Sequence, residues 1–215
     1  VVGIILGGRL GYVLFYGDGY YFQHPEDILA FSKGGMSFHG GLIGALLSGI
    51  AAARLTRIPY LTLADMGCVV APVGLFFGRC ANFVNGELWG AVTDAPWGVV
   101  FGGAAGTLPR HPSQLYEALL EGVLLFIVLF ALSRKTPPRP QGTFLGTFLL
   151  LYGCFRFAIE FVREPDAQLG YLWGGWLTMG QVLSVPLIVI GACVLAYALI
   201  AKKSQQGLLI ETGNR

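Results

Sequence analysis

Charged residues are scarce in this chain. Asp, Glu, Lys and Arg supply 12% of its 215 residues, about half of the roughly 25% usual in soluble domains, and that shortage excludes a water-exposed globular protein. The net charge of +2 is too small to argue for a nucleic-acid partner, and none is expected. The four cysteines, Cys68, Cys80, Cys154 and Cys193, show no CxxC spacing. Most sit in apolar runs, where a thiol behaves as a small hydrophobe, so a structural role is expected. No His/Cys/Asp cluster has metal-ligand spacing, and neither a GxSxG elbow nor a P-loop occurs. No metal or cofactor is therefore expected, and an enzyme built from these parts needs a nucleophile brought by its substrate. Internal repeats and low-complexity linkers are also missing, which favours one domain. The chain opens on "VVGIILGG" without a methionine, already inside an apolar run; an N-terminal part is expected to precede it, and no cleavable signal peptide is recognisable.

What the chain has in abundance is apolar surface: 54% hydrophobic residues, 13% aromatics, 32 glycines and a mean hydropathy of +0.65. Glycine lets helices approach closely in lipid and aromatic rings favour the interfaces, so the fold class expected is an all-α polytopic membrane protein. A span needs roughly 20 mainly apolar residues, and six candidates follow: Val1 to Tyr16, Phe38 to Ala53, Leu61 to Gly78, Leu115 to Leu132, Thr143 to Val162 and Leu177 to Ala201. The basic connections holding Arg54 and Arg57, then Arg134, Lys135 and Arg139, and the tail with Lys202 and Lys203, are separated by even numbers of spans. The positive-inside rule places all three in the cytoplasm. The opposite face receives longer, more aromatic segments, with Trp173 and Trp176 marking the outer interface. Residues 80–113 form a head insertion on that face. Its Gly/Pro-punctuated part contains "WGVVF", a candidate strand.

Strong polar groups converge at the outer level. Tyr152, Arg156, Glu160 and Arg163 follow helical spacing along one stripe. A charge in hydrocarbon is expensive, so Arg156 and Glu160 are read either as a pair stapling two helices or as groups turned toward a cavity. Arg79 lies at the same depth, followed by Asn82 and Asn85 at i+3 and i+6 in "GRCANFVNGELWG"; Asn85 and Glu87 also suit a loop or a cap. "GGMSFHGG" sets His39 between glycine pairs, as a structural histidine or as a proton-transfer group near neutrality. Arg9 pairs at one-turn spacing with Tyr12 or Tyr16. The set Arg110, His111, Gln114, Tyr116 and Glu117 reads first as a helix start, with Ser113 as cap. Asp65, near the cytoplasmic face, is read as an internal partner or cap. Two arginines at one lipid depth suit an anionic phosphate, because the guanidinium fork matches phosphate oxygens and stays charged.

"GRCANFVNGELWG" fits the GRxxNFxNxExxG signature of the bacterial prolipoprotein diacylglyceryl transferases. "GGRLGYVLFY", "GGMSFHGGLIG", "RHPSQLYEA" and "YGCFRFAIEFVREPD" resemble further blocks of that family, in order, from the first residue to about Gln181. The resemblance implies seven spans with an outside N-terminus, the first of which, with its functionally implicated tyrosine, has no counterpart here. It implies the bacterial inner (cytoplasmic) membrane and a site toward the periplasm. The implied partners are phosphatidylglycerol, membrane lipid and a preprolipoprotein signal peptide whose lipobox cysteine is the nucleophile. The implied products are a thioether and glycerol phosphate. By this resemblance His39 is the candidate base, and Arg79 and Arg156 bind the phosphate. Glu160 orients Arg156, and Asn82, Asn85 and Glu87 hold the headgroup or the signature loop. Tyr152, Arg9 and Tyr12 line the same cleft.

Two other classes compete. A transporter or channel for an anionic or protonated solute would also use intramembrane arginines and a histidine, yet it needs polar lining in the cytoplasmic half, where the sequence offers mainly Asp65. A non-catalytic membrane scaffold would tolerate apolar residues at His39 and Arg156.

Overall fold

The computed structural model describes residues 1–17, 19–31, 34–136, 138–165 and 170–205. Its helices are α1 (Val2–Tyr16), the single turn α2 (Tyr20–Gln23), α3 (Phe38–Thr56), α4 (Tyr60–Asn85), α5 (Ser113–Glu117), α6 (Leu125–Ser133), α7 (Thr143–Ile159) and α8 (Met179–Ala201). A π-helical segment, Ala118–Leu124, joins α5 to α6, so that Ser113–Ser133 runs as one rod. Among the described residues, three helices are long and apolar enough to cross a membrane: Tyr60–Asn85, Ser113–Ser133 and Met179–Ala201. Val2–Tyr16 and Thr143–Ile159 are shorter apolar helices.

The burial pattern is inverted relative to a soluble protein. Arg9, Gln114, Gln181, Glu117, Glu121, Thr62, Ser113 and Ser184 are among the largest side chains under 2% exposed, whereas Phe15, Leu47, Val70, Ile127, Leu183 and Leu199 stand out on helix surfaces. In water each such exposed side chain forgoes about 1.5–3 kcal/mol of burial. In hydrocarbon that cost disappears and the polar groups must satisfy one another inside. The chain is a helical membrane protein.

The chain divides into two compact units, Val1–Leu63 and Ala64–Gln205. In the first, α1 and α3 pack backbone to backbone through glycines. A Cβ on Gly40 would stand 2.9 Å from the Gly11 Cα, and one on Gly7 2.9 Å from the Gly44 Cα. This is the small-residue contact that lipid-embedded helices use. The loop before α3 is tied back to α1, with Ser37 N–H donating to the Gly8 carbonyl at 2.8 Å and the Ser37 hydroxyl capping α3 through the Gly40 N–H.

In the second unit, α7 and α8 pack closely in the same way: a Cβ on Gly146 would meet the Leu195 backbone nitrogen at 2.6 Å, and one on Gly153 that of Ile188 at 3.1 Å. Cys68, Leu125, Leu129 and Phe144 form its apolar cluster, where Cys68 plays the small-hydrophobe part expected of it. Among the described residues the four cysteines are free. At one end, Asp65 accepts from the backbone N–H groups of Gly142 (2.7 Å) and Leu145 (2.8 Å), and from the Gln205 amide (2.7 Å). It thus caps α7 from another helix. The Gln141 N–H donates to the Lys203 carbonyl at 2.9 Å. Gln141 thus ties the start of α7 to the tail that follows α8.

The expected "WGVVF" strand does not form. Among the described residues, Val92 and Val99 make only isolated bridges, both to Arg110. Pro109 and Pro112 flank Arg110 and His111 and have no N–H to extend a ladder.

Candidate functional site

Helix α4 runs 26 residues without a break, about 39 Å at 1.5 Å per residue, against a hydrocarbon core of about 30 Å. Arg79, Asn82 and Asn85 occupy its last two turns, which explains how an apolar span ends in polar residues. Arg79 Nε lies 3.2 Å from Glu117 Oε2, and its Nη2 lies 3.4 Å from Glu121 Oε2. Arg156, in the last turn of α7, places Nη1 on the other oxygen of Glu117 and Nη2 on Glu160 Oε1. The same Glu160 oxygen receives Arg163 Nη1 at 3.1 Å. Three arginines and three carboxylates thus form one chain of ion pairs, with Glu117 spacing Arg79 from Arg156. The Glu117 and Glu121 side chains are 0% exposed, against 19% for Arg79 and 14% for Arg156. Among the described residues, neither Arg79 Nη1 nor Arg156 Nε makes a hydrogen bond. Each guanidinium therefore keeps unspent donors and a partly open edge.

Local sequence fixes these positions. Glu117 and Glu121 sit at i and i+4 around the start of the π-helical segment, a wider turn that often marks functional places. It runs against α4 where Gly122 has no side chain: a Cβ there would stand 2.7 Å from the Phe76 Cβ. Thr178 and Gln181 make a reciprocal capping box at the start of α8, and the Thr178 hydroxyl also donates to Glu160 Oε2. Helix α7 stops at Ile159, so Arg163 reaches Glu160 from the turn beyond the helix and not from an i+11 position on it. An antiparallel bridge from Gly90 to Arg163 holds that turn.

The signature loop folds beside this cluster. Asn82 and Asn85 both donate to Glu87 Oε1, at 2.8 and 3.3 Å, and hold the exposed Glu87 carboxyl below its ordinary pKa, Asn82 contributing most. The chain turns through Gly86 (φ 66) and Leu88 (φ 56). It is then stitched down by Gly90 N–H to His111 O (2.9 Å) and Ala91 N–H to Val162 O (3.0 Å). A side chain at Gly90 would sit 2.5 Å from His111 O. Arg110 ties the head together by donating to Ala105 O, Gly90 O and Glu164.

The second unit therefore brings together Arg79, Arg156, Glu160 and, one turn before Arg156, Tyr152, whose ring stacks on Phe148. Asn82, Asn85 and Glu87 share their own network. His39, Arg9 and Tyr12 belong to the first unit. His39 stands exposed in the first turn of α3. Arg9 is 1% exposed and donates to four carbonyls, those of Asp27, Ile28, Gly34 and Gly35. Its guanidinium also lies over the Tyr12 and Tyr21 rings. Glu117, read from sequence as part of a helix start, and Glu121, not singled out, are the residues sequence reasoning missed as site groups. Two glutamates four apart in an apolar span carried the same signal that marked Arg156 and Glu160.

A family model described as "Prolipoprotein diacylglyceryl transferase" matches residues 1–197. The chain belongs to the prolipoprotein diacylglyceryl transferase family. It is 55% identical over 190 residues to the phosphatidylglycerol–prolipoprotein diacylglyceryl transferase of Geobacter sulfurreducens, covering 88% of this chain and 72% of that relative. The transferase of the same name from Methylocella silvestris is 54% identical over 197 residues, covering 92% and 72%. For that of Nitratidesulfovibrio vulgaris the figures are 53% over 195 residues, 91% and 73%. Membership of a transferase family favours the enzyme over the transporter reading. The engagement of Asp65 with backbone donors agrees, since that carboxylate is committed to capping a helix.

Proposed function

We propose that this chain transfers the diacylglyceryl group of phosphatidylglycerol to the cysteine thiol of a prolipoprotein, with Arg79 and Arg156 clasping the lipid phosphate. The observation that carries this reading is Glu117, which offers one oxygen to each arginine and so holds two guanidinium forks side by side with donors to spare. Such a pair is complementary to a phosphate whose charge grows as the ester bond breaks. Both substrates follow from the names carried by the relatives.

The proposed step is a displacement. His39 takes the thiol proton, since the thiolate is the nucleophile and a free thiol ionises only near pH 8.5. The sulfur attacks the glycerol carbon that bears the phosphate, a C–S bond forms, and the C–O bond breaks with its electron pair on phosphate. Glycerol phosphate leaves, and the lipobox cysteine becomes a thioether. Glu160 orients Arg156. Asn82, Asn85 and Glu87 hold the glycerol headgroup or the signature loop, the two amides both donating to Glu87, and Tyr152 lines the cleft. For Arg9 and Tyr12 the contacts favour a supporting part, shaping the loop ahead of His39.

The setting we propose is one transmembrane domain of six spans in the bacterial inner membrane, with the 80–113 head and the active site toward the periplasm. The acyl tails then stay in the bilayer while the polar cluster grips the headgroup. Purified enzyme given labelled phosphatidylglycerol and a lipobox peptide tests the assignments. Arg156→Lys and His39→Gln are each expected to lose thioether formation by about a hundredfold or more. Unchanged product in both would remove them.

A further inference from the structure

The turn at Glu87 and Leu88 stands on backbone that side chains rarely adopt, with Leu88 at φ 56, so something must hold it. Two side chains from the first turn of α5 do. The Gln114 amide donates to the Glu87 carbonyl at 2.6 Å, and the Ser113 hydroxyl donates to the Leu88 carbonyl at 3.1 Å. Both residues are 0% exposed. A carbonyl only accepts, so the nitrogen of the Gln114 amide is the end that faces Glu87. That orientation leaves Gln114 Oε1 buried with no partner among the described residues. What the buried Gln114 side chain supplies here is one donor at a fixed position against the turn.

Gln114 also lies three residues before Glu117, on the same side of the helix, and Glu117 is the group that spaces Arg79 from Arg156. The same helical turn thus indexes both the signature turn and the arginine pair. We propose that Gln114 is a positioning residue: it sets the Glu87 turn at a fixed distance from the two arginines, so that the glycerol end and the phosphate of one lipid headgroup are gripped together. This rests on the proposed function, and it names a determinant of lipid recognition that acts through the backbone of Glu87.

The test uses the full chain, purified and reconstituted, as wild type, Gln114→Glu and Ser113→Ala. Gln114→Glu keeps the shape but puts an oxygen against the Glu87 carbonyl. The expected result is a rise of about tenfold or more in the KM for phosphatidylglycerol, with the KM for the lipobox peptide within about twofold. Hydrogen exchange at residues 86–89 should also quicken, by about tenfold. Ser113→Ala, the milder change, should move the same lipid KM about threefold and so serves if Gln114→Glu folds poorly. Unchanged exchange in a folded Gln114→Glu overturns the proposal, because Gln114 then does not hold the turn. Faster exchange with an unchanged lipid KM, or an equal rise in both KM values, overturns it as well. The exchange measurement needs no turnover, so an inactive wild type would sink the functional reading and be told apart from a failure of Gln114 to hold the turn.

Discussion

Gly180 lies directly against the carboxylate of Glu160: a Cβ added to the glycine would stand 2.7 Å from Oε2 and closer still to the carboxyl carbon. What an alanine there displaces is the end of a side chain, not backbone, but an end held by Arg156, Arg163 and Thr178. Helix propensity favours Ala over Gly by up to about 1 kcal/mol, which offsets only part of the cost of loosening a buried ion pair, so Gly180→Ala should lower thermal stability moderately. The displaced carboxylate, however, releases Arg156 and Arg163, and misplacement of about 1 Å in a positioned group costs about a hundredfold. Thermal unfolding in detergent alongside kcat/KM of the folded enzyme checks this: a moderate fall in melting temperature with a loss of about ten- to a hundredfold in kcat/KM is expected, and full activity would show that Glu160 does not position Arg156.

Glu117→Gln should be far more damaging to the fold. Removing one partner of a buried ion pair leaves the others uncompensated, at about 3–5 kcal/mol, and here a fully buried carboxylate serves two arginines. A clear fall in melting temperature together with near-complete loss of transfer is expected. Glu121→Gln breaks only the 3.4 Å contact to Arg79 and should cost less on both measures.

Arg9→Lys tests the supporting role of Arg9. A lysine has one donor centre and cannot reach the carbonyls of Asp27, Ile28, Gly34 and Gly35 together as the guanidinium does. Limited proteolysis should cut the loop before α3 faster than in wild type. An unchanged cleavage rate would leave Arg9 available as a ligand group.

Asp65→Asn separates stability from chemistry. Its amide nitrogen would face one of the backbone donors that Asp65 now satisfies, at a cost of about 1–2 kcal/mol by analogy with lost caps. The melting temperature should fall while kcat/KM of the folded enzyme stays within about threefold. A large loss of kcat would link this end of the molecule to the reaction.

Much of this was readable before any coordinates. Apolar runs marked the helices, and the one-turn spacing of Arg156 and Glu160 marked an ion pair that the structure contains. The third run was read as ending at Gly78, because Arg79, Asn82 and Asn85 break the hydropathy; helix α4 continues through all three to Asn85. Glu117 and Glu121 were hidden by context, since "RHPSQLYE" reads as a helix start and a glutamate near a cap needs no further explanation. Arg163 was placed on the stripe of Arg156 and Glu160 by helical spacing, but the helix ends before it, and a bridge to Gly90 holds the turn from which it reaches Glu160. Tertiary ties such as Gln114 to the Glu87 carbonyl leave no periodic mark, so pattern reading has no means of finding them.

The central claim, that Arg79 and Arg156 read the negative charge of the lipid phosphate, is tested most directly by changing that charge. Thioether formation is measured on phosphatidylglycerol and on its neutral methyl phosphotriester, with wild type, Arg79→Gln and Arg156→Gln. If the arginines clasp the phosphate, each variant should lose about a hundredfold or more on the anionic lipid but only about threefold on the neutral one. An equal loss on both lipids would contradict the claim and assign the arginines to holding the helices together.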